Sequence, residues 1–161
     1  MTKQLNKKGT SLVELIAVIV IMGIIAGIAI PTTIAVINRQ KKNAAEKSVE
    51  SVLATAKDLV LEAQADAASG TVFLSATYNG TATPTNTAGI VYDGTSTSGT
   101  VITKYTATDM VVDGFKGTGT ITAALGAGGT ITYGGTITLN GYSVAVAADG
   151  ECTATRVSNN G

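Results

Sequence analysis

A carboxylate sits inside the longest apolar run of this chain. Glu14 lies in the stretch Leu12–Ile30, whose other positions are all Leu, Val, Ile, Ala, Met or Gly. At about 1.5 Å rise per residue, a helix over this stretch is about 28 Å long, close to the hydrocarbon thickness of a bilayer. A charge there costs about 2.5–3.5 kcal/mol at the helix centre and less toward the edge. An anchor alone needs only Leu at that position, so Glu14 is a functional candidate. The chemistry open to it is charge pairing, and its natural partner is a cation at the end of a neighbouring apolar helix.

The other reactive residue types form no catalytic set. The chain has no His and no Trp, which excludes His-based triads and His metal sites. It lacks a phosphate loop ending in Gly-Lys-Ser/Thr and a dinucleotide fingerprint after a strand. Gly126, Gly128 and Gly129 have no helix behind them and read as a hairpin turn. Asp109 and Asp113 flank Met110-Val111-Val112, which bring no oxygen ligands, so a solvated strand edge is expected there in place of a calcium loop. Asn79-Gly80-Thr81 matches a glycosylation sequon, but a turn accounts for it fully. Whether the Ser and Thr residues of 81–100 carry O-linked sugars stays open. Cys152 is the single cysteine; it is read as a small buried hydrophobe, with an intermolecular bridge as the alternative. No enzyme activity, cofactor or metal is expected. No basic patch with interleaved aromatics points to nucleic acid.

The run Gly9-Thr10-Ser11-Leu12-Val13-Glu14-Leu15, after a short basic leader, resembles the processing site of type IV pilins and their pseudopilin relatives. That resemblance implies cleavage between Gly9 and Thr10 by a dedicated prepilin peptidase and N-methylation of Thr10. Glu14 then becomes the fifth mature residue, the family's glutamate. Gly23 matches a family glycine, and Pro31 the family's helix-bending proline. The mature chain begins with Thr where most members have Phe or Met. The resemblance covers about the first forty residues and is architectural beyond them.

Charge supports one orientation. Of 11 basic residues, Lys3, Lys7 and Lys8 precede the apolar run, and their removal leaves 8 basic against 11 acidic. A basic leader without acidic residues places the N-terminus in the cytoplasm and the remainder outside. An ordinary secretory signal has an apolar region of about 7–15 residues, shorter than this run. A conventional cut after Ala29 would also leave Pro31 second in the mature chain.

These residues need elements to position them. The expected organisation is a cleaved leader 1–9, an apolar transmembrane and assembly helix 10–31, its amphipathic continuation 32–69, and a Thr/Gly-rich sheet domain 70–161. Val49, Val52, Leu53, Ala56, Leu59, Val60, Ala63 and Ala67 recur at steps of three and four and define one helix face. Lys42 and Glu46 make an i,i+4 pair. Ser69-Gly70 marks the stop, and Pro31 predicts a bend. Gly23 and Gly27 form a small-xxx-small pair suited to close helix approach, or a coincidence in an apolar helix.

From Thr71 the period changes to two. Strands are expected at 71–78, 90–92, 100–108, 110–112, 118–124, 130–133, 136–139, 142–147 and 152–157, with a long surface loop over 80–99 interrupted only by the short strand 90–92. Asn-Gly and Asp-Gly pairs at 79, 93, 113, 140 and 149 mark turns. A half-buried sheet and a helix with one apolar stripe cover each other, giving an α+β fold with an antiparallel sheet on the C-terminal half of a long N-terminal helix. The pilin resemblance implies the same lollipop architecture.

The function expected is a structural subunit of a pilus-like filament. It is held in membrane lipid as a single-pass precursor, then polymerised with copies of itself at the cell surface by an inner-membrane assembly platform and its ATPase. The alternatives are a pseudopilin of a secretion or DNA-uptake machine and a membrane-anchored surface adhesin.

Overall fold

Apolar residues on all faces, then on one face only, build a single long helix. The computed structural model describes residues 12–67, 70–81, 85–92 and 99–157, without the side chains of 29–31, 85–89 and 92. Two units divide the chain, Met1–Gln40 and Lys41–Gly161, and helix α1 (Leu12–Asp66) supplies residues to both. In the first unit, every described helical position from Leu12 to Ile28 is exposed. In the second, Ala45, Val49, Val52, Leu53, Ala56, Val60 and Ala63 are buried in the core and Leu59 packs against it. The expected face is therefore the face used from Val49 to Ala63, with Ala45 extending it, whereas Ala67 lies past the helix end and outside the core. The helix closes at Asp66, and Ala67 still donates its N–H to the Ala63 carbonyl at 3.0 Å.

Seven strands form one antiparallel sheet: β1 (Val72–Asn79), β2 (Thr85–Tyr92), β3 (Thr100–Val101), β4 (Thr118–Leu125), β5 (Ile131–Leu139), β6 (Tyr142–Val146) and β7 (Cys152–Arg156). Their order is β3-β2-β1-β4-β5-β6-β7. Alternation decides the faces. Val72, Leu74, Ala76 and Tyr78 lie opposite Leu125, Ala123, Ile121 and Gly119 on the face that meets α1. Thr, Ser, Ala and Gly dominate the other face.

Three segments differ from expectation. Residues 102–117 contain no strand; after β3 the chain makes a 3-10 turn at Ala107–Met110 and lies over the inner face. Its buried large side chains are Tyr105, Met110 and Phe115, a spacing of five that period two does not capture. Asp109 drives the turn by accepting the Thr106 N–H. Its carboxylate is thus engaged in backbone capping. The two strands expected at 130–133 and 136–139 are one. Gly135 has φ 113°, and a Cβ there would lie 2.1 Å from the Thr120 carbonyl oxygen. This glycine thus serves close strand approach inside a continuous ladder. Finally, β2 begins at Thr85, because pairing with β1 from Thr77 to Val72 carries a Thr/Asn-rich segment that reads as loop.

Turn chemistry holds where the hairpin is tight. Asn140 (φ 53°) and Gly141 (φ 79°) both take positive φ between paired Leu139 and Tyr142, the signature of a type I′ turn. Asp113-Gly114 instead lies in the excursion before β4, and Asn79-Gly80 opens a longer connection. Asp93-Gly94 is outside the described residues.

Candidate functional site

Three features stand out among the described residues: the apolar helix with Glu14, a helix-to-edge clamp, and a cleft beside the 102–117 excursion. The first is the largest. From Leu12 to Ile28 the helix exposes Leu, Val, Ile and Met on every side, with Leu12 72%, Met22 65% and Ile28 66% exposed. A helix apolar all round belongs in lipid or inside a larger assembly. By length and composition, α1 can cross a membrane. Glu14 lies in its first described turn.

Gly23 and Gly27 have nothing within 4 Å of where a Cβ would sit. Among the described residues no contact requires them, so the room they leave suits a close neighbour. The helical backbone runs through Pro31. Beside it, Thr32 Oγ1 donates to the Ile28 carbonyl at 3.3 Å, a back-bond of the kind that bends helices. Sequence reasoning missed Thr32, although a Thr directly after Pro31 could have marked it. Gly9 and Thr10 lie outside the described residues.

The clamp joins α1 to the sheet edge. Glu46 Oε1 accepts the Ala154 backbone N–H at 2.9 Å, and Lys42 Nζ stands 3.7 Å from the same oxygen. One outward-facing donor of edge strand β7 is thereby satisfied by a helix side chain. The spacing of 42 and 46 predicted the ion pair but not the partner 108 residues on. Near it, Cys152 is half-buried against the core, its thiol pushed up to about 11 by burial. Such a thiol is a poor nucleophile.

At the other end of the amphipathic segment, Asp66 accepts from Lys104 Nζ at 2.7 Å and Tyr105 Oη at 3.1 Å. The Lys104 hydrogen bond comes first in holding the Asp66 carboxyl below its usual range, followed by that of Tyr105. This latch ties the start of the excursion to the helix end. Further along, Tyr78 Oη donates to the Met110 carbonyl at 2.8 Å, and its ring meets Phe115 edge-on at 4.9 Å. Burial raises the Tyr78 phenol to about 12.

The cleft, of about 420 Å3, is lined by Lys47, Ser51, Asp113, Phe115, Lys116 and Asn140 among others. Among the described residues, no three His, Cys, Asp or Glu side chains converge as a metal site would need. No protein-family model, curated protein or solved structure matches this chain.

Proposed function

We propose that this chain is a structural subunit of a type IV pilus-like filament. The observation that carries the reading is an apolar surface encircling α1 from Leu12 to Ile28 with Glu14 set into its first described turn. Each large aliphatic side chain gains about 1.5–3 kcal/mol on leaving water, so a helix with many of them requires a non-aqueous partner. Lipid serves before assembly. Apolar helices of other copies serve after it, and the exchange preserves most of the burial.

Glu14 makes the exchange selective. Cleavage after Gly9 frees a charged amine at Thr10, and Glu14 of one subunit pairs with the amine of its neighbour. In a low-dielectric core the pair is strongly attractive and an unpartnered carboxylate is costly, so one axial register wins. Methylation leaves the amine protonated and the pairing intact. Gly23 and Gly27 admit close approach of helices, while Gly23–Pro31 is the stretch best able to lose helical form during assembly.

Mass spectrometry of the native N-terminus, together with negative-stain microscopy of cell-surface fibres, tests this reading. A mature chain beginning at Thr10 within fibres supports it. Native protein that retains Met1 and forms no polymer would favour an anchored adhesin. Cleaved protein without surface fibres, coupled to loss of secretion or DNA uptake, would favour a pseudopilin.

A further inference from the structure

The strands of this sheet carry one charged side chain among them, Arg156, and it stands opposite Tyr142 on the helix-facing side. The outer face of β1, β4, β5, β6 and β7 is therefore free of charge. Two of its rows are Thr77, Thr120, Thr136, Ala145 and Thr153, and beside them Asn79, Thr118, Thr138, Ser143 and Thr155; the rows toward the other end hold Ser75, Thr122 and Gly134, then Phe73, Ala124 and Thr132. Thr118, Thr136, Thr138, Thr153 and Thr155 are exposed. Soluble proteins ordinarily place Lys and Glu on such a face, which keeps identical sheets apart. Here that protection is missing, although α1 carries both signs at Lys42, Glu46, Lys47, Glu50, Lys57 and Asp58.

We infer that this face is a docking surface for the same face of a second copy of the chain. Like meets like without charge repulsion, and every Thr or Ser hydroxyl is both donor and acceptor. Thr77 Oγ1 and Thr120 Oγ1 already pair this way across strands at 3.0 Å. Short, stiff side chains lose little freedom on docking. Two copies also share one hand of twist, so their sheets stack at about 30°, as paired sheets do, whereas a flat partner would meet only part of the face.

Area sets the strength. Five strands at about 4.8 Å spacing and about six residues each give about 500 Å2 per copy, or about 1,000 Å2 for the pair. That is at the lower limit for a specific interface, so one contact is transient and an array of them is cohesive. The surface thus joins membranes or fibres that display many copies. This extends the anchored part of the reading above without depending on polymerisation.

The test uses the full chain reconstituted into phosphatidylcholine vesicles, with flotation reporting on the anchor and light scattering on vesicle clustering. Parent vesicles cluster. Vesicles carrying Thr136→Lys/Thr155→Lys cluster at least about tenfold more slowly, and mixing them with Thr136→Glu/Thr155→Glu vesicles restores clustering, which also shows that both variants are folded. Floating vesicles that never cluster, or clustering indifferent to the lysines, would overturn the inference. So would parent vesicles that cluster only when a soluble polysaccharide is added, which would assign the face to glycans.

Discussion

Glu46 on helix α1 and Ala154 on edge strand β7 are joined by a 2.9 Å hydrogen bond from backbone N–H to carboxylate. It is the point where the amphipathic helix holds the far edge of the sheet. A hydrogen bond to a charged group contributes about 1.5–3 kcal/mol net. Glu46→Ala is expected to lower unfolding stability by about 1.5 kcal/mol or more, measured by chemical denaturation. Lys42→Ala should change it by less than about 0.5 kcal/mol, because that ion pair is 3.7 Å long and its lysine is exposed. Equal losses from the two variants would contradict this ranking.

The excursion over 102–117 is expected to depend more on the packing of Phe115 than on the hydrogen bond from Tyr78 to Met110. Tyr78→Phe leaves the Met110 carbonyl without its buried donor and should cost about 1–2 kcal/mol. Phe115→Ala empties a fully packed site and should cost about 3–5 kcal/mol. Thermal unfolding that ranks the two in the opposite order would show that the phenol is the stronger tie.

Gly135→Ala should destabilise by about 2 kcal/mol or more, since its Cβ would enter the Thr120 carbonyl oxygen at 2.1 Å and its φ is 113°. Gly128→Ala, where the space is open, should be nearly silent. Circular dichroism melts of the pair give the comparison.

The Asp66 latch sets an acid dependence. Its folded carboxyl is held below the ordinary value of 3.8, so the unfolded chain takes up the proton first as pH falls. The stabilisation is complete above 3.8 and is lost as pH falls below it. Lys104 is shifted up from 10.5, foremost by its hydrogen bond to Asp66, so its contribution is lost only as pH rises above that value. Protection from hydrogen exchange at Lys104 and Tyr105, taken relative to the intrinsic rate at each pH, should fall below pH 3.8 in the parent, and Asp66→Asn should show that lowered protection at neutral pH. A flat profile in both would mean the latch is not closed in solution.

Much of this architecture was legible from local signals. The helix face from Val49 to Ala63 follows from spacing alone, and Asn140-Gly141 announces a tight hairpin because both residues tolerate positive φ. The rest depends on partners distant in sequence. Thr85–Gly89 looks like loop until β1 offers it a ladder. Tyr105, Met110 and Phe115 follow no helical or strand period, since they answer to Tyr78 and the inner sheet face. Glu46 reads as half of a surface ion pair because nothing nearby in sequence points to Ala154. At the candidate site, Glu14 was conspicuous because a carboxylate in an apolar run has no local explanation, whereas Thr32 hid among ordinary polar residues.

The central claim is that Glu14 directs assembly, and Glu14→Gln tests it most directly. The amide keeps the size and most of the polarity of the side chain but cannot form the charge pair with a neighbour's N-terminal amine. The bland alternative is a carboxylate resting in the headgroup layer, about 9 Å along a helix from Lys8. The measurement is the ratio of sheared fibre protein to membrane-bound protein in cells expressing parent or Gln variant at equal levels, with the mature N-terminus checked by mass spectrometry. The account predicts normal processing and membrane retention, with fibre protein reduced at least about tenfold, corresponding to about 1.4 kcal/mol per incorporated subunit. A Gln variant that is processed and assembles as well as the parent would contradict it.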